Sequence, residues 1–243
     1  EGALAWADIS TGELRLAPCT ASDLPAFLAR LRPRELLLPE DHERTLGPLA
    51  QEAGAQATPL ARAAFEGDAE RRVREWFGLA TLDGWGPPAS CEVAALAALL
   101  HYLGLTQKGA RPRLDPPVRE GALAVMAMDA ATRASLEVTR RMGGGRAGSL
   151  LATVDRTVTA GGARLLEARL GAPSLDLGAI GRRLDAVEAL AARPSLLTDV
   201  REALRGAGDL DRALGRLALD RGGPRDLGTV RGALGAGERV AER

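Results

Sequence analysis

Apolar residues recur at a helical period in the second half of this chain and at no single period in the first. Ile180, Leu184, Val187 and Leu190 fall at i, i+4, i+7 and i+10, one stripe down one helix. Leu196, Val200 and Leu204 make a second stripe after Pro194, and Leu210, Leu214 and Leu217 a third. Pro224 suits a first helical position, and Leu227, Val230 and Leu234 follow it. A one-striped helix must bury its stripe, so this half is expected to be a helical bundle. Gly228, Gly232, Gly235 and Gly237 each cost about 1 kcal/mol relative to alanine. The last helix is therefore expected to fray unless something packs against it.

Residues 1–110 instead alternate strand-like and helix-like stretches. Leu4–Ile9 and Leu14–Leu16, separated by Ser10-Thr11-Gly12-Glu13, read as a hairpin. Ser22-Asp23 can cap a helix over Leu24–Leu31 that Pro33 ends. Leu36-Leu37-Leu38 reads as a strand covered on both faces. A polar helix follows from about Asp68 to Phe77, then a long one capped by Ser90 with Val93, Leu96, Leu100 and Leu103 on one side. This order implies a layered α/β domain. Arg111–Pro117, with three prolines, reads as an extended connection. Leu123–Met126 is a last strand-like run, and Asp129 starts a helix carrying Leu136 and Val138 that the glycines after Met142 break. The expected division is an α/β domain over 1–112 and an all-α domain over 113–243. The chain opens with Glu1 rather than Met and reads as an excised segment of a longer protein.

Composition narrows the function classes. Hydrophobic residues at 46% and charged residues at 26% exclude intrinsic disorder. The longest apolar run, Val93–Leu100, falls short of the ~18 residues of a membrane span, and no signal peptide is visible. Thirty-two basic residues, of which Lys108 is the only lysine, balance thirty-two acidic ones, so net charge draws the chain to neither nucleic acid nor membrane. Aromatics at 3% are too few for a base-stacking platform. Cys19 and Cys91 lie at no ligand spacing from His42 or His101, and a reducing, cytoplasmic setting is expected.

No catalytic constellation emerges. Gly143–Ser149 is glycine-rich but lacks the Gly-Lys-Ser/Thr ending of a phosphate-cradling loop and follows a helix rather than a strand. Asp8 on a first strand before Ser-Thr-Gly, with Asp83 and more weakly Glu13, suggests a ribonuclease-H-like fold. Metal chemistry there would need three or four clustered carboxylates, which these do not supply. His101 reads as a core-edge residue, and no serine sits in a Gly-x-Ser-x-Gly context. Arg71-Arg72-Val73-Arg74, interleaved with Glu70 and Glu75, and Arg140-Arg141 read first as solvated faces, with a protein or phosphate contact as the alternative.

Taken together, these residues resemble the MutS family of DNA mismatch repair proteins along essentially the whole chain. Trp6–Glu13, Arg34–Glu40 and Leu99–Tyr102 through Thr106-Gln107 are similar to stretches of the family's connector domain. More specific are Met128–Arg133 with Leu136-Glu137, then Ser149-Leu150-Leu151 through Asp155, Thr157, Thr159, Gly162 and Arg164-Leu165-Leu166. Asp209–Arg212, Arg216-Leu217-Ala218 and Pro224–Leu227 complete the core-domain signature. Ser135, Gly161 and Arg169 stand where the family usually has asparagine, methionine and tryptophan. The resemblance implies a ribonuclease-H-like α/β connector followed by an all-α core, or lever, domain.

The parent it implies is a dimeric, cytoplasmic ATPase, acting at the bacterial nucleoid, that binds mismatched double-stranded DNA and recruits MutL. Its wedge-bearing recognition domain, clamp and P-loop would lie outside these residues. The segment is expected to hold no ATP, Mg²⁺ or other cofactor, to be no enzyme and to touch no membrane. Its role would be to carry rigid-body displacement and to dock MutL. The helix bearing Glu70, Arg71, Arg72 and Arg74 falls where the resemblance puts part of that contact, and arginine suits bidentate anchoring of a partner carboxylate. The alternatives are an Mg²⁺-dependent nuclease built on Asp8 and Asp83, and a MutS paralogue acting outside mismatch repair.

Overall fold

The computed structural model describes residues 2–86, 88–107, 111–121 and 124–243. They form two compact units, Glu1–Ala122 with Met128–Ala130 and Leu123–Ala127 with Ala131–Arg243.

The first unit opens with the hairpin of β1 (Gly2–Asp8) and β2 (Glu13–Cys19), antiparallel from Asp8↔Glu13 outward. Its turn is held by Asp8, whose carbonyl accepts from the amides of Thr11 and Gly12 and whose carboxylate accepts from the amide and hydroxyl of Ser10 (2.8 and 2.6 Å). Gly12 is buried with φ +87°, and a Cβ there would meet the Arg113 carbonyl oxygen at 3.0 Å. Helix α1 (Leu24–Leu31) starts after Asp23, but the Asp23 carboxylate does not cap it. It accepts instead from the amide and hydroxyl of Thr20, which hold its pKa below the usual carboxylate range.

Strand β3 (Glu35–Pro39) is followed by α2 (Glu43–Glu52) and β4 (Gln56–Leu60), which pairs with β3 in parallel. Helices α3 (Ala69–Phe77) and α4 (Ser90–Thr106) pack together, and α4 covers β1 and β2. Ser90 is the first helical residue of α4 rather than its cap. The Glu92 carboxylate reaches back to accept from the Ala89 amide at 2.9 Å, stapling the first turn. Two-residue β5 (Val118–Arg119) adds in parallel to β2, giving a β1-β2-β5 sheet beside the β3-β4 pair. Two apolar clusters result. One joins Leu14 and Leu16 to Val73, Leu96 and Leu100, and the other joins Leu24 and Leu28 to Leu36, Leu38 and Ala50.

All but the first residue of α5 (Ala130–Ser135) lie in the second unit. The helix is shorter than its sequence suggests. Glu137 turns left-handed (φ +46°), and the carbonyls of Glu137 and Val138 accept the amides of Leu150 and Leu151 at the start of α6 (Leu150–Val154) instead of continuing a helical ladder. The run from Leu123 begins outside the described residues. Its continuation makes an isolated antiparallel bridge, Val125↔Ser174, rather than a strand. Then come α7 (Ala160–Gly171), α8 (Leu177–Ala191), α9 (Pro194–Arg205), α10 (Leu210–Ala218) and α11 (Pro224–Ala241). Despite its glycines α11 is continuous, because α9 and α10 both pack on it. The predicted stripes do lie on helices but are not all sealed, with Leu184, Val187, Leu227 and Leu234 each at least 60% exposed. No helix among the described residues is long and apolar enough to cross a membrane.

Candidate partner interface

Helix α3 buries Val73 completely and turns its charged residues outward. Its left-handed C-cap is Gly78, and Phe77 packs edge-on against Trp85 at 5.0 Å. The arginines of this helix do different jobs. Arg72 is half-buried and donates to the Ala64 carbonyl at 2.7 Å, fastening α3 to the preceding 3₁₀ turn. Arg74 donates to the Ala80 carbonyl at 2.9 Å just past the helix and lies 3.5 Å from Glu70. Arg71 is exposed, pairs with Asp68 at 2.5 Å and lies 3.5 Å from Glu75. The Asp68 hydrogen bond comes first among the causes that raise its pKa.

A cleft of about 430 Å³ opens between the 3₁₀ turn and α3, lined by Glu66, Asp68, Glu75, Arg71 and Arg72. Glu66 is itself held by Arg62 (2.6 Å), which also bonds Asp41 (3.0 Å). Of the four residues nominated from sequence, Arg71 and Arg72 line this cleft, and Glu70 and Arg74 form the pair beside it. Sequence reasoning missed the Asp41–Arg62–Glu66 extension. Arg62 and Glu66 stand four residues apart, but Asp41, in the 3₁₀ turn before α2, is 21 residues from Arg62 and only the fold brings it there.

Two of the acidic residues suited to metal chemistry have other work. Asp8 holds its own turn, and Glu13 pairs with Arg15 at 2.5 Å. Asp83 sits exposed in a 3₁₀ turn. Among the described residues no three His, Cys, Asp or Glu side chains converge as metal ligands. His101 is half-buried on α4. Cys19 is a free thiol, pushed up to about 11 by burial and then by Asp23.

In the second unit the signature residues act as pins. Arg164 on α7 makes two bonds to Asp209 (2.7 and 2.9 Å) and a third to Asp211 on α10 (3.2 Å). Arg216 on α10 holds Asp226 on α11, whose second oxygen accepts the Gly223 amide at 3.0 Å. Asp155 accepts from Arg146 and from the amide and hydroxyl of Thr157. Ser149 and Thr159 cap α6 and α7 by accepting the amides of Ala152 and Gly162. Hydrogen bonds from Arg164, Arg216 and Thr157 are the first causes holding Asp209, Asp226 and Asp155 below the carboxylate range. Arg133 ties α5 to the end of α7 through the Gly171 carbonyl at 2.6 Å. Arg169 lines an open cleft of about 390 Å³ with Arg182, Arg183, Val187 and Leu190.

Two family models match the chain, MutS domain II over residues 2–115 and MutS domain III over residues 131–243. Curated relatives named DNA mismatch repair protein MutS align over nearly all of it. One from Cereibacter sphaeroides (strain ATCC 17025) is 53% identical over 244 residues, covering 100% of this chain and 28% of that protein. One from Paracoccus denitrificans (strain Pd 1222) is 52% identical over 242 residues, 99% of this chain and 27% of that protein. One from Rhodopseudomonas palustris (strain BisB5) is 50% identical over 240 residues, 98% and 26%. The chain therefore spans about a quarter of the length of these relatives.

Proposed function

The chain belongs to the MutS family of DNA mismatch repair proteins, and from that premise we propose that it is the connector and lever module of such a protein, performing no chemistry itself. Its first unit is the connector, of ribonuclease-H-like type, a reading supported by the antiparallel β1–β2 hairpin followed by the parallel β3–β4 pair. Its second unit is the lever. It relays rigid-body displacement between a mismatched-duplex site and an ATPase in a homodimeric, cytoplasmic parent.

The observation that carries this reading is the set of ion-pair pins at the signature positions. Arg164 with Asp209 and Asp211 ties α7 to the start of α10, and Arg216 with Asp226 ties α10 to the start of α11. A bidentate guanidinium–carboxylate contact fixes direction as well as distance, and helices tied in this way move together. On this reading the parent's ATP and Mg²⁺ are bound elsewhere, because Gly143–Ser149 lacks the Gly-Lys-Ser/Thr ending of a phosphate-cradling loop. We assign nucleotide binding to other parts of the parent.

MutL docks, on this reading, on the face of α3 carrying Glu70 and Arg71, with Arg72 and Arg74 holding that face in shape. Arg71 is engaged by Asp68 and Glu75, so a partner carboxylate must displace an internal one. Recruitment should therefore weaken as salt rises. In the full-length protein, Arg71→Glu with Arg72→Glu should weaken MutL recruitment about tenfold, the loss of about one charge-assisted contact. Binding to mismatched duplex should stay unchanged. Because Arg72 also anchors Ala64, Arg71→Glu alone is the cleaner arm. Unchanged recruitment in both would remove α3 from the interface.

A further inference from the structure

The stretch Arg111–Pro117 reads in sequence as a connection, yet the structure fastens it to the first unit along its length. Pro112 is buried, and Leu114 packs against the cluster around Leu100. The Arg113 carbonyl lies where a side chain at Gly12 would go, and the Asp115 amide donates to the Gly12 carbonyl at 2.8 Å. Val118 and Arg119 pair with Arg15 and Leu16, and the Glu120 amide donates to the Leu16 carbonyl at 2.7 Å. Two adjacent side chains of opposite charge then engage two different helices. Arg119 makes two bonds to Glu92 in the first turn of α4 (2.9 and 2.8 Å). Glu120 bonds Arg30 in the last turn of α1 at 2.6 Å, with both side chains about 10% exposed. The Arg30 guanidinium also lies over Trp6 (5.6 Å) and Phe27 (5.0 Å), and its Nη2 is buried without a hydrogen-bond partner. Without Glu120 that guanidinium would be a buried charge with no counter-ion, a strongly unfavourable state.

We propose that residues 111–120 are a strap locked to the first unit by the Arg30–Glu120 and Glu92–Arg119 pairs, so that these ten residues move with that unit. The prolines are an anchored part of the unit and not its pivot. A pull on the chain at Glu120 is passed by these two pairs to the ends of α1 and α4.

Amide hydrogen exchange on the 243-residue chain tests this, with Asp115 and Glu120 as reporters. In the wild-type chain both should exchange roughly 100-fold slower than an unstructured peptide. Glu120→Gln should speed them about tenfold or more while the β1–β2 amides stay protected. The swap Arg30→Glu with Glu120→Arg should restore much of the protection. Arg119→Gln should act in the same direction with a smaller effect, and it is the deciding variant if Glu120→Gln also opens the hairpin. Wild-type exchange at the unstructured rate would overturn the proposal. So would strap protection that neither variant changes.

Discussion

The first unit closes over leucine and valine from both sheets and three helices, with Leu14, Leu28, Leu38, Val73 and Leu100 at most 2% exposed. In the second, among the described residues, only Leu151, Ala213 and Ala236 are buried hydrophobic side chains. Its helices are joined by arginine–carboxylate pairs, and long apolar side chains remain on the surface. Apolar burial is strong and indifferent to direction, whereas ion pairs are weaker and directional. Under the proposed function, that contrast would suit a platform that has to hold its shape and a set of rods whose mutual angles matter.

The sharpest way to break the comparison is to damage each unit in its own currency. Leu100→Ala removes a side chain 1% exposed and should cost about 3 kcal/mol. The loss should appear in the first unit's denaturation alone; a comparable loss in the second would mean that the two melt as one. Next in size is Arg164→Ala, which removes three hydrogen bonds to Asp209 and Asp211 and should cost about 2 kcal/mol. Its effect should depend on pH. Because Asp209 titrates below its ordinary value of 3.8 in the folded chain, the pair's contribution is complete above that value and is lost as pH falls through the lower, native one. Urea melts of variant and wild type should therefore differ at neutral pH and converge at strongly acidic pH, and a gap that persisted in acid would mean that packing supplies the stability. The smallest effect sharpens the contrast instead. A Cβ at Gly228 meets nothing within 4 Å, so Gly228→Ala should stabilise the second unit by up to about 1 kcal/mol. A loss there would reveal a close neighbour on α11.

Where one pattern governed a stretch, the sequence was readable. The β1–β2 hairpin, α1, α3, α4 and the four striped helices all carry an uninterrupted period or clear end signals. Helix α2 and strand β4 were missed because each carries a proline inside it, Pro48 and Pro59. In α2 Pro48 is the sixth of ten residues, so the helix forgoes one backbone hydrogen bond, whereas β4 lies at the edge of a two-stranded sheet, where a missing donor is tolerated. The helix after Asp129 was overextended because nothing local announces that the Glu137 and Val138 carbonyls bond to α6. The site was legible as a list of residues but not as an arrangement. That Arg71 and Arg72, neighbours in sequence, divide into a surface charge and a structural anchor depends on Ala64 and Asp68. The residues of the pins stand out through family resemblance, but their pairing does not, since Arg164 and Asp209 lie too far apart for any pattern in the sequence to join them.

The turn between β1 and β2 bears on how mutational surveys of this protein should be read. With φ +87° and a carbonyl oxygen 3.0 Å from any Cβ, position 12 should accept no other amino acid, and Asp8, clasping Ser10, should tolerate few. A survey scored by survival would mark this Asp-Ile-Ser-Thr-Gly stretch as intolerant, a profile easily mistaken for that of a reactive centre. Here the intolerance would record the cost of reversing the chain in a confined space.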